Sequence, residues 1–524
     1  MRSILILGAG FMQGPAIRIA KAKGYRVYAA DADPNAAHAG SADEFLHIDL
    51  KDKEALAEAA AGISGLAGVF TAGTDFSASV AYVAERLGLP GIPYEAALDA
   101  SDKARMRSRL REAGVPVPDY AFGDSGDDPA ALAEAVGSWP VVVKPVDNMG
   151  GRGCRLARSV SELRDAWADA VAHSRSGRAI VEAYLDGPEF SLDAIVRDGR
   201  VALRGVADRV VVFEPYFVEM GHTMPTSYGR EVVDEVVAVF EAGVAALGIR
   251  NGAAKGDMKY TRRGAFVGEI AARLSGGYMS GWTYPYSSGV EPTAEAIDIA
   301  CGVEPAEAGS TLGLSCSERA WISIPGRVAE LRGLAEAEAM PGVRHVFSRA
   351  AVGGRVVFPS NNVQKCGNVI AVGGSAAEAD GYAEAAARSI LIRLEPDDEA
   401  SAAFLRGEGS IRGPDGSSWP PAAFGGVSAI TESSLHKLPG MVRLGGSGGS
   451  VSIAPLRGVE SERALDWQGR SIPEALDAVA ALTGARIGLD GDLVLGSSFW
   501  RAFLRGGYQG GAWAVERARL GDRG

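Results

Sequence analysis

Residues 139 to 157 read WPVVVKPVDNMGGRGCRLA. An apolar β-branched run ends in Lys144 and passes at once into a glycine-rich turn, Gly150, Gly151 and Gly153, with Arg152 and Arg155 beside it. The pattern predicts a buried strand followed by a hairpin loop. A lysine leaving a buried strand is costly to dehydrate unless an anion meets it, and glycines let backbone N–H groups close over phosphate oxygens. Both features point to one phosphate-bearing ligand; a surface hairpin with a snorkelling lysine is the alternative.

The chain around this stretch has 524 residues, too many for one core, so three or four domains are expected. Its net charge of −12 disfavours general attraction to nucleic acid or anionic membrane, and leaves room only for a local basic pocket. Cys154, Cys301, Cys316 and Cys366 are scattered with no C-x-x-C pair, which argues against a zinc site or a disulfide scaffold and fits a reducing cytoplasm. No run approaches 18 apolar residues, so neither a signal peptide nor a membrane span is expected.

The first 100 residues alternate apolar strands (SILILGAG, YRVYAADADP, GLAGVFTAG) with helices, the pattern of a small doubly wound parallel sheet of Rossmann type. Gly8, Gly10 and Gly14 either cradle a dinucleotide pyrophosphate, with Asp31 on its ribose, or simply permit a tight strand-to-helix turn. An arginine-rich helix in SDKARMRSRLREAG then serves as connector. Mixed strands and helices follow in an α+β order to about residue 300. A smaller α+β lobe runs to about 396, with SAAEADGYAEAAARSILIRL as its helix. Beyond 397 the chain turns glycine- and serine-rich, then offers an amphipathic helix, SIPEALDAVAALTG, and an aromatic end.

Four stretches, SDKARMRSRLREAGVPVPDY, WPVVVKPVDNMGGRGCRL, AIVEAYLDGPEFSLDAIV and GAFVGEIAARLSGG, together resemble the ATP-grasp superfamily of ligases, over about residues 101 to 277. The resemblance implies an α/β and α+β multidomain chain: a pre-ATP-grasp domain at 1–100, a small ATP-grasp lobe at 101–185, a large lobe with the metal site at 186–310, a C-terminal α+β lobe at 311–396 and an accessory region at 397–524. It implies ATP and Mg²⁺, with Mn²⁺ as a substitute. It places Lys103 and Lys144 on the α- and β-phosphates, and Gly150, Gly151 and Gly153 in the loop over the triphosphate. Glu182, Ala183, Tyr184 and Leu185 match the hinge whose backbone reads adenine, and Glu189 matches the acid on the ribose hydroxyls; a surface acid on a turn is the other reading of Glu189.

Asp257 and Glu269 match the family's carboxylate pair for Mg²⁺, on strands joined by the turn TRRG. Two departures stand out. Asp257 is shorter than the glutamate frequent there, and EIAAR puts Ala271 where an asparagine helps hold a second metal, whose coordination is left open. Arg273 matches the arginine facing the acyl phosphate or substrate carboxylate, against an internal ion pair. His222 in EMGHTMPT is either a substrate-site residue, as in ligases joining a carboxylate to an amine, or a satisfied structural histidine. Tyr278, Trp282, Tyr284 and Tyr286 either wall a pocket or pack a core. Asn361, Asn362, Lys365 and Cys366 fall on a predicted turn before a strand, and Cys366 has no histidine partner that would make it a nucleophile.

The expected activity is ATP-dependent formation of an acyl phosphate from a carboxylate and its capture by an amine. The partners would be small molecules, with a homodimer as the compatible assembly. The GGRGCR loop is similar to that of biotin carboxylases, so a bicarbonate-using carboxylase is the alternative within the fold; a catalytically weakened ATP-binding module and a nicotinamide oxidoreductase stand outside it.

Overall fold

In the Ser3–Leu7 strand every residue is buried, as expected of a parallel strand covered on both faces. A computed structural model provides the description below and covers residues 1–305, 309–412, 418–424, 442–445, 464–484, 486–488, 493–495 and 497–521. The chain forms two compact units: 1–211 with 221–318 and 372–380, and 212–220 with 319–371 and 381–524.

The first unit begins with a four-stranded parallel sheet in the order Glu44–His47, Arg26–Asp31, Ser3–Leu7, Leu66–Phe70. The sheet switches direction of growth between Ser3–Leu7 and Leu66–Phe70, the place where open α/β sheets leave a crevice at the carboxyl ends of their strands. Gly8, at φ 102°, starts the turn there. Asp31 is spent inside this turn, accepting the Ala9 N–H at 2.8 Å and the Asp33 N–H at 3.0 Å.

Two helices, Tyr94–Ser101 and Lys103–Glu112, replace the single expected connector. Asp102 separates them, its extended backbone ending one helix while its carboxylate caps the Ala104 and Arg105 N–H groups of the next. The second helix buries Met106 and Leu110 in the core of the large lobe.

An antiparallel four-stranded sheet follows, ordered Tyr120–Asp124, Arg178–Ala183, Val141–Pro145, Arg155–Ala157. Val141, Val143 and Val181 pack with Leu163 and Trp167 of the helix Val160–His173. Alternation along the strands therefore turns Lys144 and Glu182 to the other face.

In the large lobe, Gly264–Ala271, Gly252–Thr261, Glu189–Arg197 and Arg200–Val212 are neighbours in that order, all antiparallel. Phe190, Leu192, Ala194, Met258, Val267 and Ile270 share a core with Val236, Phe240 and Val244 of the helix Arg230–Ala246. Gly256 is required here: a Cβ would stand 2.5 Å from the Phe240 ring.

In the second unit, Gly326–Arg332 pairs antiparallel with Leu391–Leu394 and Arg355–Val356. The expected helix through SILIRL stops at Ser389, and LIRL becomes the strand Leu391–Leu394 because its branched residues pair with Gly326–Arg332. The helices Ile472–Thr483 and Ser497–Arg519 join the hydrophobic core of the 320–394 segment through Val479, Phe499, Trp500 and Phe503. Gln509 accepts from the Ile324 N–H at 3.0 Å and donates to Ser323 Oγ at 2.7 Å. The glycine- and serine-rich stretch at 443–452 lies, after residue 445, outside the described residues.

Candidate active site

Strand register builds the site. Asp257 stands directly opposite Glu269 on one side and Ser191 on the other; Lys259 faces Glu189, Lys255 faces Asp193, and Arg209 faces Glu189. Because side chains alternate, Glu189, Ser191, Asp193, Lys255, Asp257, Lys259 and Arg209 line one face while the apolar residues between them cover the helix on the other. The resulting charges neutralise one another in rows. Arg209 Nη1 lies 2.9 Å from Asp257 Oδ1 and 3.3 Å from Glu189 Oε2, Lys259 Nζ lies 2.9 Å from Glu189 Oε1, and Lys255 ion-pairs with Asp257 Oδ2.

Lys103, 8% exposed, reaches from its helix to both the large lobe and the glycine loop, with Nζ 3.3 Å from Glu269 Oε2 and donating to Asn148 O at 2.7 Å. Burial pushes the Glu269 carboxyl up, but the charges of Lys103, Lys255 and Arg273 overcome this and hold it at about 2. Lys144 Nζ donates to Glu182 Oε2 at 2.7 Å, and Arg107 Nε donates to Glu182 Oε1 at 2.6 Å. Burial again acts against the Glu182 carboxylate, and Arg107 and Lys144 bring it down to about 2. The same carboxylate keeps Lys144 charged against its own desolvation.

Gly150, Gly151 and Gly153 all have positive φ, 71°, 77° and 67°, so the loop depends on glycine for its conformation. Cys154 at its end is a half-buried residue whose thiol is pushed up to about 11 by desolvation. At the expected hinge, the Glu182 side chain is committed to Arg107 and Lys144. The Ala183 and Tyr184 N–H groups are also taken, by Asp119 O at 2.8 Å and Pro140 O at 3.1 Å. These two donors belong to the sheet and its edge and do not face a ligand; Leu185 follows directly, 8% exposed.

Arg273 is 7% exposed, donates to Leu274 O at 3.0 Å, and is surrounded by the charges of Glu269, Asp193 and Asp257. Asp193, with no exposed surface, accepts from both the backbone N–H and the hydroxyl of Ser275 at 2.8 Å. Burial raises its carboxyl to about 6. This anchors the loop after Arg273, where Gly276 passes so close to Gly73 that a Cβ on Gly276 would lie 2.7 Å from the Gly73 Cα. The loop thus meets the switch point of the N-terminal sheet, where Ala72 bridges to Leu274.

His222 is placed otherwise than a substrate-facing group. It is 1% exposed, with Nε2 2.7 Å from Thr283 Oγ1 and Nδ1 3.4 Å from Glu318 Oε2, so both ring nitrogens serve internal partners. Tyr278 and Tyr284 are buried, the latter among Met224, Met279 and Val290, whereas Trp282 and Tyr286 are half-buried. In the second unit, Lys365 donates to Glu219 O and Asn362 accepts the Glu219 N–H, which ties this turn to the backbone at 218–220; buried Cys366 is pushed up to about 12.

Sequence reading missed Arg107, Arg209, Lys255, Lys259 and Asp193. A signal existed for several. Arg107 lies one helical turn from Lys103, and Lys255 and Lys259 flank Asp257 at strand spacing.

A parallel sheet leading into two antiparallel lobes, with two lysines, a glycine loop and paired carboxylates between strands, defines the class: residues 137–281 match the ATP-grasp domain family. Residues 320–395 match the L-amino acid ligase C-terminal domain 2. The chain thus carries one stretch that matches the ATP-grasp domain family and another that matches an L-amino acid ligase C-terminal domain. It is 28% identical over 336 residues to the uncharacterized protein y4rH of Sinorhizobium fredii, covering 63% of this chain and 69% of that one. It is 25% identical over 198 residues to the L-arginine-specific L-amino acid ligase of Bacillus subtilis, covering 37% of this chain and 48%, about half, of that relative. Its fold is similar to the crystal structure of L-amino acid ligase from Bacillus licheniformis, with a TM-score of 0.66 at 20% identity, over 75% of this chain and 99% of that one. Among the described residues no helix is long and apolar enough to cross a membrane.

Proposed function

We propose that the protein is an ATP-dependent ligase that phosphorylates a small carboxylic acid and couples it to an amine, with an amino acid as at least one partner. The observation that carries the reading is the pair of buried cations Lys103 and Arg273 about the opposed carboxylates Asp257 and Glu269, with half-buried Lys144 held on the small-lobe sheet by Glu182. The match of residues 320–395 to an L-amino acid ligase domain supports the choice of an amino acid over bicarbonate.

In the proposed reaction a carboxylate oxygen of the acid attacks the γ-phosphorus, the bond to ADP breaks, and an acyl phosphate forms. The amine nitrogen then attacks the acyl carbon, orthophosphate departs with the bonding pair, and the nitrogen loses a proton to solvent. Lys103 and Lys144 would neutralise phosphate charge, and the loop at Gly150, Gly151 and Gly153 would lay its backbone donors over the transferring oxygens. Arg273, anchored through Leu274 O, would present its remaining donors to the acid. Asp257 and Glu269 offer the hard oxygen donors Mg²⁺ or Mn²⁺ needs and would hold it; when bound, that ion supplies charge neutralisation of the phosphates. Loop closure would keep water from the acyl phosphate. His222 enters as a positioning residue between Thr283 and Glu318.

The test is ATP-dependent phosphate release, with carboxylic and amino acids offered singly and in pairs and with bicarbonate alone. Release that needs an acid and an amine together, and is lost in Glu269→Ala and Lys144→Ala, is expected. Release driven by bicarbonate alone would replace the ligase with a carboxylase, and tight ATP binding without release under any pairing would favour a non-catalytic module.

A further inference from the structure

Lys255 and Ala271 are direct cross-strand partners, two residue pairs from Asp257 and Glu269 and on the same face of the sheet. Ala271 offers no donor atom to an ion. The Lys255 ammonium pairs with Asp257 Oδ2, its residue stands in register with buried Asp193, and its charge acts on Glu269. Arg209 holds the second oxygen of Asp257 at 2.9 Å. Asp257 is therefore already matched by two protein cations, and Glu269 pairs with Lys103 at 3.3 Å while Lys255 and Arg273 add their charge to it.

Resting on the ligase reading above, we propose that Lys255 supplies a fixed positive charge in place of a second divalent ion, so that the nucleotide-loaded protein holds one divalent cation per chain. A further divalent ion beside Asp257 would have to displace an ammonium whose side chain is 13% exposed, or lie next to it as a like charge in a poorly solvated site. A lysine in this role needs no coordination sphere, which suits the methyl group of Ala271. It also makes the charge at Asp257 independent of metal concentration.

The experiment is equilibrium dialysis and electron paramagnetic resonance of Mn²⁺ with the full-length protein and a non-hydrolysable ATP analogue, in wild type, Lys255→Ala and Lys255→Arg. One bound Mn²⁺ per nucleotide-loaded chain is expected in wild type and in Lys255→Arg. In Lys255→Ala, either a second Mn²⁺ binds or nucleotide affinity falls at least tenfold at low Mn²⁺ and recovers as Mn²⁺ rises. Two Mn²⁺ in the nucleotide-loaded wild type, or a Lys255→Ala variant with unchanged stoichiometry and affinity, would overturn the role of Lys255 while leaving the ligase reading intact. Failure of the wild type to bind the nucleotide would overturn both. If Lys255→Ala does not fold, the wild-type count still decides.

Discussion

Arg107, with no exposed surface, donates to the carboxylate of Glu182 at 2.6 Å, joining the connector helix to the small-lobe sheet; its Nη2 also donates to Gly268 O at 2.6 Å in the large lobe. Removing one member of a buried ion pair strands the other charge and costs about 3–5 kcal/mol. Arg107→Ala and Glu182→Ala are therefore expected to lower the unfolding free energy by about that amount in urea titrations. Lys144→Ala leaves Arg107 and Glu182 paired, and is expected to weaken nucleotide binding with a much smaller loss of stability. Equal destabilisation by all three would contradict this division.

The pH dependence of stability has two opposed parts. Glu182 and Glu269 are held at about 2, below their ordinary 4.5, so their contribution is complete above about pH 5 and is lost as pH falls toward 2. Asp193 is raised to about 6 from 3.8, so its contribution is complete below its unfolded value and is lost as pH rises through 6. Asp193→Asn should flatten the unfolding free energy between about pH 4 and 6 and leave the acid limb below pH 4 unchanged. A profile identical to wild type across pH 4 to 6 would refute the assignment.

Gly153 has φ 67°, and a Cβ there would lie 2.9 Å from the His173 Cβ and 3.2 Å from the Ala170 Cα. Gly153→Ala combines left-handed strain of about 1–2 kcal/mol with overpacking of about 1–3 kcal/mol. Loss of nucleotide affinity together with a lower Tm is expected, measured by calorimetric titration and thermal unfolding.

His222→Ala removes hydrogen bonds inside the first unit and should cost about 1–3 kcal/mol of stability. Because the ring faces Thr283 and Glu318, the variant's residual activity should keep the wild-type dependence on acid and amine concentration. A large selective rise in KM for one substrate, with stability intact, would return His222 to the substrate site.

Much of the fold was legible locally. The helices Ser77–Arg86, Val160–His173, Arg230–Ala246 and Ile472–Thr483 follow from apolar periodicity and their punctuation, Ser471 and Glu474 forming a capping box on the last. The strand at Leu391–Leu394 did not, because a helix and a strand share one uninterrupted apolar run and only pairing with Gly326–Arg332 separates them. The short Glu44–His47 strand escaped for a related reason: four residues carry too little periodicity, and its identity comes from its parallel register with Arg26–Asp31.

For the site, the amino-acid order by itself determined which side chains share a face, since Lys255, Asp257 and Lys259 must point one way along a strand and Met258 the other. It determined too that the loop after Lys144 needs glycine. Only the tertiary structure decided which charges meet: Lys103 with Glu269, Arg107 with Glu182, Lys255 with Asp257 beside the methyl group of Ala271, and His222 with internal partners. It likewise placed Phe499 and Phe503, whose stretch carries no recognisable pattern, in the core of the 320–394 lobe. The reason is range. Periodicity acts between neighbours in the chain, whereas buried charge pairing depends on contacts of about 3 Å that only strand register and packing between distant segments can set.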